Sequence, residues 1–112
     1  NIRPIDTYKA LHHLSPVKAR QLENVDFVIF RELTGGIYFG KKETSEDGNT
    51  AIDECSYSTY EIERVAHLAF EYAQKRKNKL TLIDKANVLE TSRLWRRVVQ
   101  KIAAEYPLVA VD

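Results

Sequence analysis

At two places in the sequence, an apolar run is followed by side chains that can bind anions and transfer protons. In the first, Val25–Phe30 leads into Arg31, and Tyr38 follows. In the second, another apolar run is followed by Lys85 and Asn87. A guanidinium group holds a carboxylate through paired hydrogen bonds, and a lysine with a tyrosine can serve as base and acid. These residue types predict a site where an anionic substrate undergoes proton transfer.

A further cation, Arg3, stands before Pro4, which favours an extended conformation. Two guanidinium groups, Arg3 and Arg31, would suit a substrate with more than one carboxylate. Spacing alone makes this a weak signal, because cations at strand ends are usually solvated. An ordinary strand followed by a loop containing the pair Gly35-Gly36 explains the first stretch equally well.

The elements that would position these residues follow the order strand, arm, helix, strand, helix, strand. This order predicts an α/β fold in which right-handed crossovers make the later strands parallel. Strands are predicted at Asn1–Tyr8, Val25–Phe30 (as a buried strand), Ile37–Phe39, Ala51–Tyr57, Lys79–Asp84 and Leu108–Val111. A projecting two-stranded arm is predicted at residues 37–58, and the main helices are predicted at 59–77 and 90–105. The whole chain, 1–112, is expected to be one partial domain.

Both helices carry periodic apolar residues. Ser58 and Glu61 form the pattern of a capping box, which predicts where the first helix begins. Its apolar face repeats at intervals of three and four, and Asn78 is a plausible terminator. The residues of the two apolar faces are Ile62, Val65, Ala66, Ala69 and Ala73, then Leu94, Trp95, Val98, Val99 and Ile102.

The composition is that of an ordinary globular protein, with 44% hydrophobic and 29% charged residues in 112. A net charge of +1 favours neither nucleic acid nor a membrane surface as a partner. The single cysteine, Cys55, allows no internal disulfide and indicates a reducing, cytoplasmic setting. Because methionine is absent and both termini fall within strand patterns, the chain is expected to be an internal fragment of a larger protein.

Several classes of site are not indicated. The pair Gly35-Gly36 lacks the spacing of a dinucleotide fingerprint, and there is no phosphate loop or cysteine pair for zinc. The adjacent residues His12 and His13 would point to different sides of a regular element, which favours a solvated loop over a metal site. His12 and His13 are therefore not predicted to be metal ligands.

The motifs resemble those of the isocitrate/isopropylmalate dehydrogenase family, and in particular its 3-isopropylmalate dehydrogenase branch. The matching residues cover the whole chain in one order. They are Asn1-Ile2-Arg3-Pro4, Arg31-Glu32-Leu33-Thr34-Gly35-Gly36-Ile37-Tyr38-Phe39-Gly40, Asp84-Lys85-Ala86-Asn87-Val88-Leu89 and Leu94-Trp95-Arg96. The resemblance implies that the chain forms most of the second domain of such an enzyme, which is its dimerisation domain.

By this resemblance, the chain would serve an NAD-dependent oxidative decarboxylation of 3-isopropylmalate in leucine biosynthesis. Arg3 and Arg31 would bind the substrate carboxylates, and Val88 would contact its isopropyl group. Tyr38 would be the catalytic acid. Lys85, supplied by the other subunit of a homodimer, would be the base. The matching Asn87 would approach the nicotinamide.

The resemblance also implies Mg²⁺ or Mn²⁺, with ligands largely outside this chain, and a homodimer formed through the arm and the helices. The fragment alone is expected to be inactive. A homoisocitrate- or tartrate-type relative is the alternative within the same enzyme class. A non-catalytic self-association module is the alternative of a different class.

Overall fold

A computed structural model describes all of residues 1–112. The chain forms two compact units, an N-terminal unit of residues 1–31 and a C-terminal unit of residues 32–112. No helix in either unit is long and apolar enough to cross a membrane. The assignment of the chain to a single partial domain of a larger enzyme stays a prediction.

The N-terminal unit is an antiparallel strand pair with a short helical connection. Its elements are β1 (Ile2–Asp6), a 3-10 segment (Lys9–Leu14), α1 (Ala19–Leu22) and β2 (Asp26–Phe30). In the register of the pair, Ile2 faces Phe30 and Asp6 faces Asp26. The helix α1 ends before Asn24, whose φ of 58° lies in the left-handed region.

Two predictions for this unit are wrong. The strand that contains Phe27 and Ile29 is not buried, because these side chains are 49% and 42% exposed. A two-stranded ladder has only one neighbour per strand, so it cannot cover both of its own faces. The segment Lys9–Leu14, predicted to be a loop, forms a 3-10 helix instead.

The C-terminal unit opens with a turn and a hairpin. Residues Gly36–Tyr38 form a 3-10 turn where the sequence predicted a strand at Ile37–Phe39. That prediction is wrong because Gly36, with φ of 66°, turns the chain away from an extended path. The hairpin follows as β3 (Lys42–Thr44) and β4 (Ala51–Asp53), which pair antiparallel and consist only of exposed residues.

The long helix α2 (Thr59–Gln74) begins at the predicted capping box. The backbone N–H of Ser58 donates to Glu61 at 2.7 Å, and the N–H of Glu61 donates to the Ser58 hydroxyl at 3.4 Å. The helix ends three residues before the predicted boundary at 77. Asn78 then takes a left-handed φ of 51°, and its N–H donates to the Ala73 carbonyl at 3.0 Å, so its role as terminator is confirmed.

The remaining elements form a parallel strand pair connected through a helix. They are β5 (Lys79–Leu80), α3 (Glu90–Ala103) and β6 (Ala110–Val111). The strands β5 and β6 pair in parallel, as the crossover rule predicts. The strand predicted at Lys79–Asp84 is reduced to two residues, although the N–H of Leu82 still donates to the Asp112 carbonyl at 2.8 Å.

The core of the C-terminal unit lies between α2 and α3. Its buried side chains come from the two predicted apolar faces, from Phe70, which was not among the predicted residues, and from the approach to β6. They are Ile62, Ala66, Phe70, Ala73, Val98, Val99, Ile102 and Val109. Phe70 is fully buried and stacks on Tyr106 with ring centroids 4.9 Å apart. This packing gives α2 and α3 fixed surfaces on which the neighbouring loops can be held.

Candidate functional site

The two arginines predicted to bind carboxylates lie on the same face of the strand pair in the N-terminal unit. Asn1 and Arg31 exchange both backbone hydrogen bonds, at 2.8 and 2.9 Å, so they extend the β1–β2 ladder by one pair. Arg3 is opposite Ile29 in the same register. Side chains of facing residues, and of residues two apart in one strand, share a face. Arg3 and Arg31 are therefore diagonal neighbours, a spacing that long side chains can bridge.

Tyr38 is the last residue of the 3-10 turn at the base of the arm, and its side chain is 51% exposed. The turn is anchored because the N–H of Gly36 donates to Ser56 at 2.7 Å. It closes where the N–H of Gly40 donates to the Gly36 carbonyl at 3.1 Å. A Cβ on Gly40 would lie 1.8 Å from the Glu54 carbonyl oxygen, so only glycine fits this close approach.

A buried carboxylate holds the loop that leads to this turn. The side chain of Glu32 is only 2% exposed, and it accepts from the backbone N–H groups of Thr34 and Gly35 at 2.7 and 2.8 Å. The Thr34 hydroxyl also donates to it, and Arg64 of α2 donates at 2.8 Å. Burial raises the pKa of Glu32, but these hydrogen bonds outweigh that effect and lower it below 4.5. Glu32 therefore fastens the Thr34–Gly35 backbone to α2.

Replacement of Glu32 by Gln is expected to destabilise the chain by about 2 kcal/mol at pH 7, because the variant loses the charge that Arg64 and two amides share. A lowered pKa in the folded state means that the stabilisation is present above the unfolded pKa and is lost as pH falls through the folded value. The difference in unfolding free energy between wild type and Glu32→Gln should therefore shrink as pH falls below 4.5. Urea unfolding at a series of pH values measures this difference.

The matched control is Glu43→Gln, which alters an exposed carboxylate paired with Lys41 on the arm. Exposed pairs contribute little, so this variant should differ from wild type by less than about 0.5 kcal/mol at every pH. A Glu32→Gln difference that stayed constant from pH 7 to pH 3 would contradict the ionised, hydrogen-bonded role of Glu32.

The second candidate loop follows β5 and carries Lys85, Asn87 and Val88, all of which are exposed. The N–H groups of Val88 and Leu89 both donate to the Lys85 carbonyl, at 3.0 and 2.9 Å. The N–H of Lys85 donates to the Ser92 hydroxyl of α3 at 3.0 Å. The backbone of Lys85 is thus bonded on both sides, while its side chain faces solvent.

Asp84, next to Lys85, is a second buried carboxylate, with its side chain 8% exposed. Arg96 of α3 donates to both of its oxygens at 2.9 Å, and the N–H of Ala86 donates to it at 3.0 Å. The hydrogen bonds from Arg96, with that from Ala86, hold the pKa of Asp84 below its usual value of 3.8. Asp84 is therefore ionised throughout the neutral range.

The chain's own donor groups do not make a metal site. No three or more His, Cys, Asp or Glu side chains come together in a way that could hold a metal ion. The ionised carboxylates nearest the candidate loops, Glu32 and Asp84, are already paired with arginines. Any divalent cation at this site would need ligands from other residues.

A model of the family described as isocitrate/isopropylmalate dehydrogenase matches residues 1–112, the whole chain. The chain belongs to this family. Members called 3-isopropylmalate dehydrogenase are 51% identical over 112 residues in Bacteroides fragilis and 52% identical over 115 residues in Carboxydothermus hydrogenoformans. The match covers 100% of this chain and 31% of each relative, so the chain spans about a third of the family members it matches.

Solved structures of the family agree with the fold. The isocitrate dehydrogenase of Methylococcus capsulatus is 34% identical with a TM-score of 0.73, over 79% of this chain and 27% of that one. A β-decarboxylating dehydrogenase of Thermococcus kodakarensis is 35% identical with a TM-score of 0.66, over 77% and 25%. The predicted resemblance to the family and its α/β fold, with small sheets and several helices, are confirmed.

Within the family fold, Arg3 and Arg31 lie on one face in the N-terminal unit, while Tyr38 and Lys85 occupy separate loops of the C-terminal unit. Their catalytic and binding roles stay predictions. Sequence reasoning did not single out Glu32 or Asp84, which fasten the two loops. A usable signal exists, because each acidic residue directly adjoins a candidate cation at the end of an apolar run.

Proposed function

We propose that this chain forms part of a 3-isopropylmalate dehydrogenase, which oxidises and decarboxylates 3-isopropylmalate in leucine biosynthesis. The observation that supports the proposal is sequence identity. About half of the residues, over the full length of the chain, are identical to those of relatives with that name. The two similar solved structures are 34% and 35% identical, and neither is named as a homoisocitrate or tartrate enzyme. The homoisocitrate- or tartrate-type alternative is therefore not better supported.

The arginine face supports the choice of a dicarboxylate substrate. Arg3 and Arg31, as diagonal neighbours, present two guanidinium groups, and each can hold a carboxylate through two hydrogen bonds. Isopropylmalate has two carboxylates and a hydroxyl between them on the carbon chain. Binding both carboxylates would fix the hydroxyl-bearing carbon for reaction. Val88, which is 62% exposed, supplies an apolar contact that suits the isopropyl group.

Proton movements are assigned to Lys85 and Tyr38. Lys85 would take the hydroxyl proton as the alcohol becomes a ketone. The carboxylate β to that ketone then leaves as carbon dioxide, and the electrons of the broken bond form an enol. Tyr38 would donate a proton to the enol carbon and complete the 2-ketoacid. Both side chains are exposed in this chain, so each can reach a substrate held against its loop.

NAD, when bound, accepts the hydride from the hydroxyl-bearing carbon. Asn87 fits a place beside the nicotinamide, because its amide both donates and accepts and its side chain is exposed on the loop of Lys85. The family resemblance also calls for Mg²⁺ or Mn²⁺, with ligands outside this chain. This chain's own residues do not form a site for that ion.

The partner is proposed to be a second copy of the chain. The arm strands β3 and β4 are exposed along their whole length and leave unpaired edges, which favours pairing with another strand. By the resemblance, Lys85 of one subunit would enter the site that contains Tyr38 of the other. A cytoplasmic setting, in keeping with a single unpaired Cys55, stays a prediction.

A segment exchange tests the proposed function. The matching segment of the Bacteroides fragilis relative is replaced by this chain. The alignment of the two runs over 112 residues and covers all of this chain, so the whole chain has a counterpart segment to replace. NADH formation is then followed with 3-isopropylmalate, homoisocitrate and tartrate as substrates. The unmodified relative serves as the positive control, and the isolated chain is measured alongside.

The grafted enzyme is expected to form NADH with 3-isopropylmalate at a kcat/KM within about tenfold of the parent enzyme and at least about 100-fold above the other substrates. The isolated chain should be inactive. A folded, dimeric graft that preferred homoisocitrate or tartrate would overturn the proposed substrate. A folded graft without any dehydrogenase activity would overturn the proposed function.

A further inference from the structure

The ion pair between Asp84 and Arg96 joins the loop of Lys85 to the helix α3. The guanidinium meets the carboxylate as a planar fork, Nε to Oδ2 and Nη2 to Oδ1, both at 2.9 Å. Such a two-point contact fixes orientation as well as distance. Oδ1 of Asp84 also accepts a hydrogen bond from the backbone N–H of Ala86 at 3.0 Å. Asp84 therefore contacts the residue on the other side of Lys85 in the chain.

Further bonds from the first turns of α3 fasten the same stretch. The Ser92 hydroxyl accepts from the N–H of Lys85 at 3.0 Å, and Arg93 donates from Nε to the Ala86 carbonyl at 2.9 Å. Ser92 and Arg96 are four residues apart, and therefore share one face of the helix. Every one of these contacts reaches the backbone or the neighbours of Lys85, and none involves its side chain.

We propose that Asp84 and Arg96 are a positioning pair, which fixes the backbone of Lys85 so that its ammonium group reaches the substrate hydroxyl in the correct geometry. This inference rests on the proposed function. A lysine side chain has four rotatable bonds, so a fixed backbone is what limits where its nitrogen can go. A displacement of about 1 Å in a reacting group can cost about 100-fold in rate.

The surroundings favour a positioning role over a contribution to the core. Ile83 before the pair is 86% exposed and Val88 after it is 62% exposed, so the loop has little apolar packing of its own. Arg96 is itself 56% exposed. The conformation of the loop therefore depends on hydrogen bonds to α3, among which the two-point contact of Arg96 is the only one between charged groups.

The test uses the grafted enzyme and the variants Arg96→Lys and Asp84→Asn. Lysine keeps the positive charge but cannot form the fork, and asparagine keeps the size but not the charge. Each variant is expected to lower kcat about tenfold while KM for isopropylmalate changes less than about twofold. Hydrogen exchange of the peptide containing residues 84–89 should show loss of protection at the amides of Lys85 and Ala86.

The control Ile102→Val removes one methyl group from the core, which lowers stability without touching the loop. It should retain kcat and the exchange protection of residues 84–89. Unchanged protection in Arg96→Lys would show that the Asp84–Arg96 pair does not fix the loop, and unchanged kcat with lost protection would overturn its role in positioning Lys85. An inactive unsubstituted graft would count against the proposed function, while the exchange measurement would still decide whether the Asp84–Arg96 pair fixes the loop.

Discussion

Replacement of Tyr38 by Phe in the grafted enzyme is expected to lower kcat by about 100-fold or more, with the dissociation constant for isopropylmalate changed less than about threefold. The phenol contributes a proton at the enol carbon and makes no contact that the proposal requires for binding. Phenylalanine preserves the ring, and the 3-10 turn is held by backbone bonds of Gly36 and Gly40. The turn should therefore survive the substitution.

The order of the chemical steps in the reaction gives a second expected result for Tyr38→Phe. Protonation comes after hydride transfer, so a first turnover of NADH should still form in Tyr38→Phe. In D₂O, the deuterium at the protonated carbon should lose its stereospecificity, because an enol released into solvent is protonated from either face. The control Tyr60→Phe, which alters a tyrosine 69% exposed on α2, should leave both rate and stereochemistry unchanged. A variant of Tyr38 that mainly weakened substrate binding would contradict the acid role.

Replacement of Lys85 by Gln is expected to lower kcat by about 1000-fold, since it removes the base from the oxidation step itself. The loop should keep its shape, because its contacts to α3 come from Asp84 and the backbone. Substrate with deuterium on the hydroxyl-bearing carbon should show a larger isotope effect in this variant than in wild type. The isotope effect in Tyr38→Phe should not increase in this way.

Lys101→Gln is the matched control for Lys85, because it alters an exposed lysine on α3 in the same unit. Its kcat should equal that of the unsubstituted graft. A Lys85→Gln enzyme with nearly normal kcat would remove Lys85 from the proton transfer. A tenfold or greater rise in KM with normal kcat would instead make Lys85 a binding group.

Local signals in the sequence predict the helices well. The capping box of Ser58 and Glu61 depends on residues three apart, so its formation does not need the rest of the fold. The apolar periodicity similarly predicts the buried residues Val98 and Ile102 of α3. The fully buried Phe70 is missing from the predicted apolar set, which has Ala69 instead, although Phe70 lies four residues after Ala66 and shares its face of α2.

The strands are predicted less well, because their pairing is decided far away in the chain. The strand expected at Ile37–Phe39 is replaced by a turn at Gly36, whose left-handed φ comes with close packing against the Tyr57 ring. The strand at Val25–Phe30 is apolar enough to be buried, yet a single partner strand leaves it partly exposed. Burial by a neighbouring strand cannot be deduced from the residues of one strand alone.

The candidate site is likewise predictable from the sequence only in part. Arg3, Arg31, Tyr38, Lys85 and Asn87 are recognisable from motif order, whereas the contacts that hold their loops are not. Glu32 and Arg64 are 32 residues apart, and Asp84 and Arg96 are 12 apart, so only the folded chain brings them together. Both pairs fasten a loop with a candidate catalytic residue to the helix that follows it.

The central claim is that two copies of the chain complete each site, with Tyr38 from one and Lys85 from the other. Grafted subunits carrying Tyr38→Phe and Lys85→Gln are produced together with different affinity tags, and the mixed dimer is purified. One of its two sites would then combine the unaltered Tyr38 and Lys85, and the other would combine both substitutions.

The purified mixed dimer is expected to show about half of the activity of the unsubstituted dimer, although each parent variant alone is nearly inactive. Such recovery requires that the two residues come from different subunits. A mixed dimer that remained as inactive as its parents would show that Tyr38 and Lys85 do not act across subunits, and would contradict the account.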